Sequence, residues 1–210
     1  MVAWFGSIKR RSVASIDEKV GWALVLGTVP GAVAGAVGED IIQRKLGQPW
    51  IIAVMLTVFA AVLYLVDKLA KVDRSFDSIR PRTGLGLGFA QALALQPGVS
   101  RSGVTITAGR LIGLDRGSAA RISFLLSLPI IAGAGMMKGL DIAQNPSMLE
   151  GMGAQFVVGI IASAVSGFLV IAFLLSYLRK HNFGIFLWYR VGVTMLVFAL
   201  MAAGIRPATA

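Results

Sequence analysis

Residues 97–103 read Pro-Gly-Val-Ser-Arg-Ser-Gly and bring two hydroxyls and a guanidinium into an otherwise apolar stretch. Residues 83–100 carry no charge, and neither do 102–109. Arg101 therefore falls inside a segment whose composition suits a membrane. A charge at bilayer depth costs roughly 2.5–3.5 kcal/mol on insertion scales, so such a residue faces a cavity or a partner. Pro97, Gly98 and Gly103 interrupt helical structure around it. A broken helix persists in a membrane only where its freed backbone groups line a cavity or meet other protein. Ser100, Arg101 and Ser102 at such a break make a site for a cluster of anionic oxygens, most simply a phosphate.

Each residue also has a plainer reading. Arg101 can cap carbonyls at the break; alternatively, its planar fork grips a diphosphate and offsets charge developed during phosphoryl transfer. Ser100 and Ser102 can serve as N-caps of the following arm, which is compatible with phosphate binding because the arm's N-terminal N–H groups point into the same pocket. Arg101, Ser100 and Ser102 are carried as catalytic candidates, and a hydrogen-bonding role suits the serines better than a nucleophilic one, since no general base is visible in the motif. Thr105 and Thr107 can satisfy backbone groups inside the arm. Arg190 reads as a residue that snorkels to the surface from the last apolar run, and His181 as a solvated residue at a helix end.

The elements that must position these residues are membrane helices. The chain has 210 residues, 56% of them hydrophobic and 14% charged, which is the profile of a multi-pass membrane protein. There is no cysteine, hence no disulfide framework or thiolate metal site. The net charge of +10 is spread at the ends of apolar runs. That pattern fits topology and lipid headgroups and argues against nucleic acid as a partner. The order of residues 1–11, an apolar scrap before Lys9, Arg10 and Arg11, is the reverse of a signal peptide. It reads as the end of a membrane helix.

Uncharged runs at 20–38 and 46–66 are long enough to span a bilayer. Gly27, Gly31 and Gly35 in the first recur at a spacing that lets helices approach closely. Residues 67–82 form a polar loop. Residues 84–96 and 103–114 are each about half a span, 18–20 Å as helix. They read as a re-entrant hairpin with its tip near mid-membrane. Further spans follow at 118–138, with Pro129 inside, at 151–178, with a Gly159, Ser163, Gly167 stripe, and at 182–205. Trp22, Trp50, Trp188 and Tyr189 stand near the starts of spans, as interfacial anchors do. The predicted fold is an all-α polytopic bundle with a re-entrant broken-helix hairpin, a single integral membrane domain over 1–210.

If the N-terminus and the hairpin's two feet face the cytoplasm, fourteen Lys and Arg residues fall inside and four outside, namely Arg44, Lys45, Lys138 and Arg206. This obeys the positive-inside rule. A full crossing at 84–114 would reverse the later loops. The ten carboxylates are Asp17, Glu18, Glu39, Asp40, Asp67, Asp73, Asp77, Asp115, Asp141 and Glu150, and all lie in loops or at span ends. None is expected beside Arg101.

The stretch from Gln91 to Gly103, together with Phe-Leu-Leu-Ser-Leu-Pro at 124–129, Gly-Thr-Val-Pro-Gly at 27–31 and Trp-Tyr-Arg at 188–190, resembles the undecaprenyl-diphosphate phosphatase family linked to bacitracin resistance. The resemblance implies an inverted-repeat membrane enzyme of the bacterial cytoplasmic membrane. Such an enzyme removes the terminal phosphate of the polyprenyl diphosphate carrier in peptidoglycan and cell-wall synthesis, with consequences for cell shape and antibiotic resistance. It also implies that Ser100, Arg101, Ser102 and Thr105 line the phosphate pocket. Gln91 matches the family pattern and is carried as a substrate-binding candidate, whereas Gln96 is given no role. A divalent cation, Mg or Ca, is implied by the resemblance, though no ligands for it are visible here. The family's glutamate-rich first motif, with its Pro-x-Ser-Ser-x-Gly-His core, has no counterpart, so the chain corresponds to the C-terminal two-thirds of the family fold. The expectation is that this chain alone turns over slowly and that an upstream extension restores activity. A polyprenyl-phosphate transporter or flippase, or an inactive fragment, are the alternatives. Association with further copies stays open.

Overall fold

The computed structural model describes residues 15–149 and 151–205, so Lys9, Arg10, Arg11, Glu150 and Arg206 lie outside the described residues. Seven helices follow in order: α1 (Ile16–Leu46), α2 (Pro49–Leu69), α3 (Pro81–Ala92), α4 (Arg101–Leu111), α5 (Arg116–Gln144), α6 (Gly153–Leu178) and α7 (Gly184–Ala202). Five of them, all but α3 and α4, are long and apolar enough to cross a membrane. The architecture is an all-α membrane bundle.

Local chemistry sets the helix starts. Ser15 and Glu18 form a reciprocal capping box at α1, each backbone N–H donating to the other's side chain at 3.2 Å. Pro49 opens α2 and Pro81 opens α3 at the position where a missing N–H costs nothing. Asp115 caps α5, accepting from the Ser118 N–H at 2.9 Å and its hydroxyl at 2.5 Å. Pro30 and Pro129 lie within continuous helices.

α3 and α4 are the two arms of the hairpin. Its feet are tied together at one end: the N–H groups of Asp73 and Arg74 donate to the Gly113 carbonyl at 3.2 and 3.1 Å, and the Asp115 N–H donates to Arg74 at 3.1 Å. The turn reaches further than mid-span. α3 is prolonged by a 3₁₀ turn at Leu93–Leu95 and then by a tight turn in which the Val99 N–H donates to the Gln96 carbonyl at 3.0 Å. Gly98, with φ of +90°, packs on the Ile52 carbonyl so closely that a Cβ could not fit. Ile52 is only the fourth residue of α2, about 5 Å along its axis. The sequence shows where the helix breaks, but not that a 3₁₀ turn followed by a hydrogen-bonded turn at 96–99 carries the chain on to α2.

α1 lies on α3 with backbones in contact. A Cβ at Gly84 would collide with the Ala23 carbonyl, and one at Gly88 with that of Gly27. The expected close-packing stripe on α1 is thus used within the chain. The stripe on α6 is not: Gly159 and Gly167 have no described atom within 4 Å of a Cβ position. Small residues permit close approach without specifying which neighbour makes it. The core fills the space between α1, the hairpin and α5 with Ala23, Leu87, Ile106, Ala119, Ile122 and Leu126. α7 joins α2 through Thr194, whose hydroxyl donates to the Ala53 carbonyl at 2.9 Å and accepts from Thr57 at 2.8 Å.

Candidate active site

The break between the arms builds a small cavity from the first turn of α4 outward. Ser100 is the N-cap of α4, its hydroxyl accepting the Gly103 N–H at 3.2 Å. The Ser102 hydroxyl stands 3.3 Å away. Both serines and Gly103 line a cavity of about 210 Å³ whose other walls are Ala60 and Leu63 of α2, Leu174 of α6, and Phe183, Phe186, Leu187 and Arg190 around α7. The volume is below the several hundred Å³ of pockets that enclose drug-sized ligands. It suits a phosphate-containing headgroup, with any long tail lying outside.

Arg190 is the residue whose role the sequence reading understated. The side chain is only half-buried, but one end of its guanidinium turns inward. Its Nη1 is buried without a hydrogen-bond partner, and a Cβ at Gly103 would sit 3.8 Å from it. Burying a guanidinium nitrogen with nothing to bond costs free energy unless an anionic group completes it. The cavity therefore presents two hydroxyls, an unsatisfied guanidinium donor and the N-terminus of an eleven-residue helix, whose dipole and free N–H groups favour anions. A signal for Arg190 was present in the sequence: it is the only charged residue at 182–205, which by the same reasoning applied to Arg101 marks a functional candidate.

The other expected site residues are not all gathered here. Arg101, at the first position of α4, is exposed, its side chain forms no hydrogen bond or ion pair among the described residues, and it is not part of the cavity wall. Thr105 is fully buried. Its hydroxyl lies 2.9 Å from the Arg101 carbonyl and 2.5 Å from the Ser123 hydroxyl, so it ties α4 to α5 away from the cavity. Thr107 donates to the Gly103 carbonyl at 2.7 Å. Gln91 is buried on the α1 side, its amide against Gly31 and neither polar atom bonded. Gln96 Nε2 bonds the Leu46 carbonyl at 3.4 Å and that of Pro97 at 3.1 Å, which makes it a brace of the turn. His181 is exposed and stacks on Tyr177, ring centroids 4.4 Å apart.

A divalent cation wants carboxylate or other hard oxygen ligands. The described cavity wall offers two serine hydroxyls but no carboxylate, and no group of three or more Asp, Glu, His or Cys residues comes together among the described residues. The donor set of this cavity fits an anion and does not fit a cation held by these side chains.

Asp67, placed by the sequence at a span end, is in fact fully enclosed. Arg110 Nε lies 2.9 Å from its Oδ1, an ion contact off the hydrogen-bond direction, and Arg110 Nη2 donates to its carbonyl at 3.0 Å. Arg116 Nε reaches both carboxylate oxygens, at 2.9 and 3.0 Å. This cluster binds α2, α4 and α5 at the hairpin's feet and so fixes the arm that carries Ser100 and Ser102.

The family model described as bacitracin resistance protein BacA matches residues 1–196. The undecaprenyl-diphosphatase of Elusimicrobium minutum is 46% identical over 202 residues, covering 94% of this chain and 76% of the relative. That of Desulforudis audaxviator is 45% identical over 193 residues, 91% of this chain and 72% of the relative. The Corynebacterium efficiens protein of the same name is 37% identical over 204 residues, 97% and 70% of the two chains. With a match across nearly its whole length and relatives this close, the chain belongs to the BacA family of bacitracin resistance proteins.

Proposed function

We infer that this protein hydrolyses undecaprenyl diphosphate to undecaprenyl phosphate and phosphate, with the cavity at the α3–α4 break receiving the diphosphate. The relatives named undecaprenyl-diphosphatase support the reaction. The observation that carries the site is the buried, unbonded Nη1 of Arg190 against the hydroxyl-bearing first turn of α4. In the reaction, water oxygen bonds to the terminal phosphorus and the bond from that phosphorus to the bridging oxygen breaks. The bridging oxygen leaves with the lipid, and inorganic phosphate departs.

The residues of this chain bind and offset charge in that exchange. Ser100 and Ser102 donate to non-bridging oxygens, the α4 N-terminus faces the same group, and Arg190 neutralises charge that spreads over the transferred phosphoryl oxygens. Arg101 completes the grip from the exposed side of the break. The apolar wall of Leu63, Leu174, Phe183 and Phe186 limits water and so strengthens these interactions. Among the described lining residues there is neither histidine nor carboxylate, so the serines act as donors and not as activated nucleophiles. The setting is the bacterial cytoplasmic membrane, where this lipid is returned to cell-wall synthesis; the five long apolar helices support a multi-pass protein.

The test is phosphate release from undecaprenyl diphosphate by the purified protein in detergent, measured beside the lipid product. Phosphate and undecaprenyl phosphate are expected in equal amounts. Passage of the lipid across vesicles with no phosphate released would overturn the reading in favour of a carrier.

A further inference from the structure

A second cavity, of about 400 Å³, opens at the hairpin's feet. It is lined by Val72, Arg110, Asp115, Arg116, Leu178 and Arg179. Seven residues of α4, about 10 Å of rise, separate Arg110 from Gly103 of the proposed active site. We propose that this cavity is a binding site for the phosphate headgroup of an anionic phospholipid.

The floor is built, not incidental. Arg110 is 3% exposed and the Asp67 side chain wholly enclosed, and Arg110 is held further by its Nη1 donating to the Leu114 carbonyl at 2.7 Å. Arg116 spends its Nε on Asp67, but its terminal nitrogens hold no hydrogen bond among the described residues, and a third of its side chain is exposed. Arg179, just past the end of α6, is exposed, and its side chain forms no ion pair or hydrogen bond among the described residues. The facing carboxylate, Asp115, is committed to capping Ser118. Two guanidiniums with donors to spare thus flank a cavity lined by three arginines and one carboxylate, with Asp67 enclosed against Arg110 and Arg116.

The position selects a lipid over a soluble anion. The cavity sits where α2 ends at Leu69 and α6 at Leu178, the level of headgroups for helices of this length. Above it, α6 exposes Phe168, Leu169 and Phe173, an apolar path for acyl chains. Basic pockets between membrane helices at this level take lipid phosphates. The excess of basic residues at this end of the bundle adds a favourable potential.

A ligand that binds only the folded state raises its unfolding temperature with concentration. Thermal unfolding of the protein in neutral detergent, followed by tryptophan fluorescence, is compared with added phosphatidylglycerol, with phosphatidylcholine of the same acyl chains, and with inorganic phosphate. Phosphatidylglycerol is expected to raise the midpoint in a saturable way; the other two are not. Arg179→Glu, a change at an exposed residue, is expected to weaken the apparent affinity roughly tenfold or more, by the scale of one charge lost and one opposed near a lipid phosphate. Lys138→Glu, in an exposed ion pair towards the other end of α5, is expected to leave it unchanged. Equal effects of the two lipids, an undiminished effect in Arg179→Glu, or a full effect of inorganic phosphate alone would overturn the proposal.

Discussion

Gly103 and Arg190 meet across the α4–α7 gap: a Cβ at Gly103 would stand 3.8 Å from Arg190 Nη1 and 3.1 Å from Ser100 Cβ. The tight contact is with Ser100, while 3.8 Å is ordinary van der Waals distance, so Arg190 Nη1 packs against the first turn of α4 beside the serines. Arg190→Ala removes a buried donor that has no partner among the described residues, so folding should be unharmed. Phosphate release should fall by about 10²–10³-fold, the scale for loss of one transition-state donor. Arg190→Lys keeps the charge and loses the fork, and should recover only part of the rate. Arg101→Ala, at an exposed and unbonded residue, should also leave folded yield intact while lowering activity. A well-folded Arg190→Ala protein with a near-normal rate would remove Arg190 from the site.

Thr105 sets the contrast. Its hydroxyl is enclosed and spent on the Arg101 carbonyl and Ser123. Thr105→Val leaves the Ser123 hydroxyl one partner short in a buried place, at a cost of about 1–3 kcal/mol. The unfolding midpoint should drop while KM for the lipid diphosphate stays the same. A raised KM at unchanged stability would return Thr105 to the substrate.

Packing makes an equally sharp comparison between two glycines on one helix. Gly84→Ala places a methyl into the Ala23 carbonyl and must push α1 and α3 apart, whereas a Cβ at Gly86 meets nothing within 4 Å among the described residues. Overpacking of this kind costs typically about 1–3 kcal/mol, and more where the obstacle is backbone. Gly86→Ala should instead gain up to about 1 kcal/mol from helix propensity. Opposite shifts in thermal midpoint are the expected result.

How much of this was legible beforehand follows from what each signal encodes. Hydropathy runs revealed the five long helices because length and apolarity alone define a span. The Pro-Gly-x-Ser-Arg-Ser-Gly stretch located the break because those residues act locally. Arg190 was discounted because a sequence gives depth along a helix but not which face meets another helix. Asp67 looked like a loop residue for the same reason: its enclosure depends on Arg110 and Arg116, brought to it only by the hairpin fold. Thr105 stood in the right motif yet on the wrong side of α4. The hydroxyls of a helical Ser102 and Thr105 are three residues apart, and here one lines the cavity while the other faces α5.

The hairpin itself predicts a labelling pattern. Its feet are joined by the bonds from Asp73, Arg74 and Asp115, so both lie at one face of the membrane, while α5 carries the chain to the other. The protein has no cysteine, so single cysteines can be introduced without background. Arg82 and Ile112 are exposed at the two feet, and Gln144 is exposed at the far end of α5. Arg82→Cys and Ile112→Cys should both react with a membrane-impermeant maleimide from one side, and Gln144→Cys only from the other. The charge distribution makes the first side the cytoplasm. Reaction of the two foot positions from opposite faces would mean that α3 and α4 together cross the bilayer. The serine-bearing break would then sit on a through-path and not at a re-entrant tip.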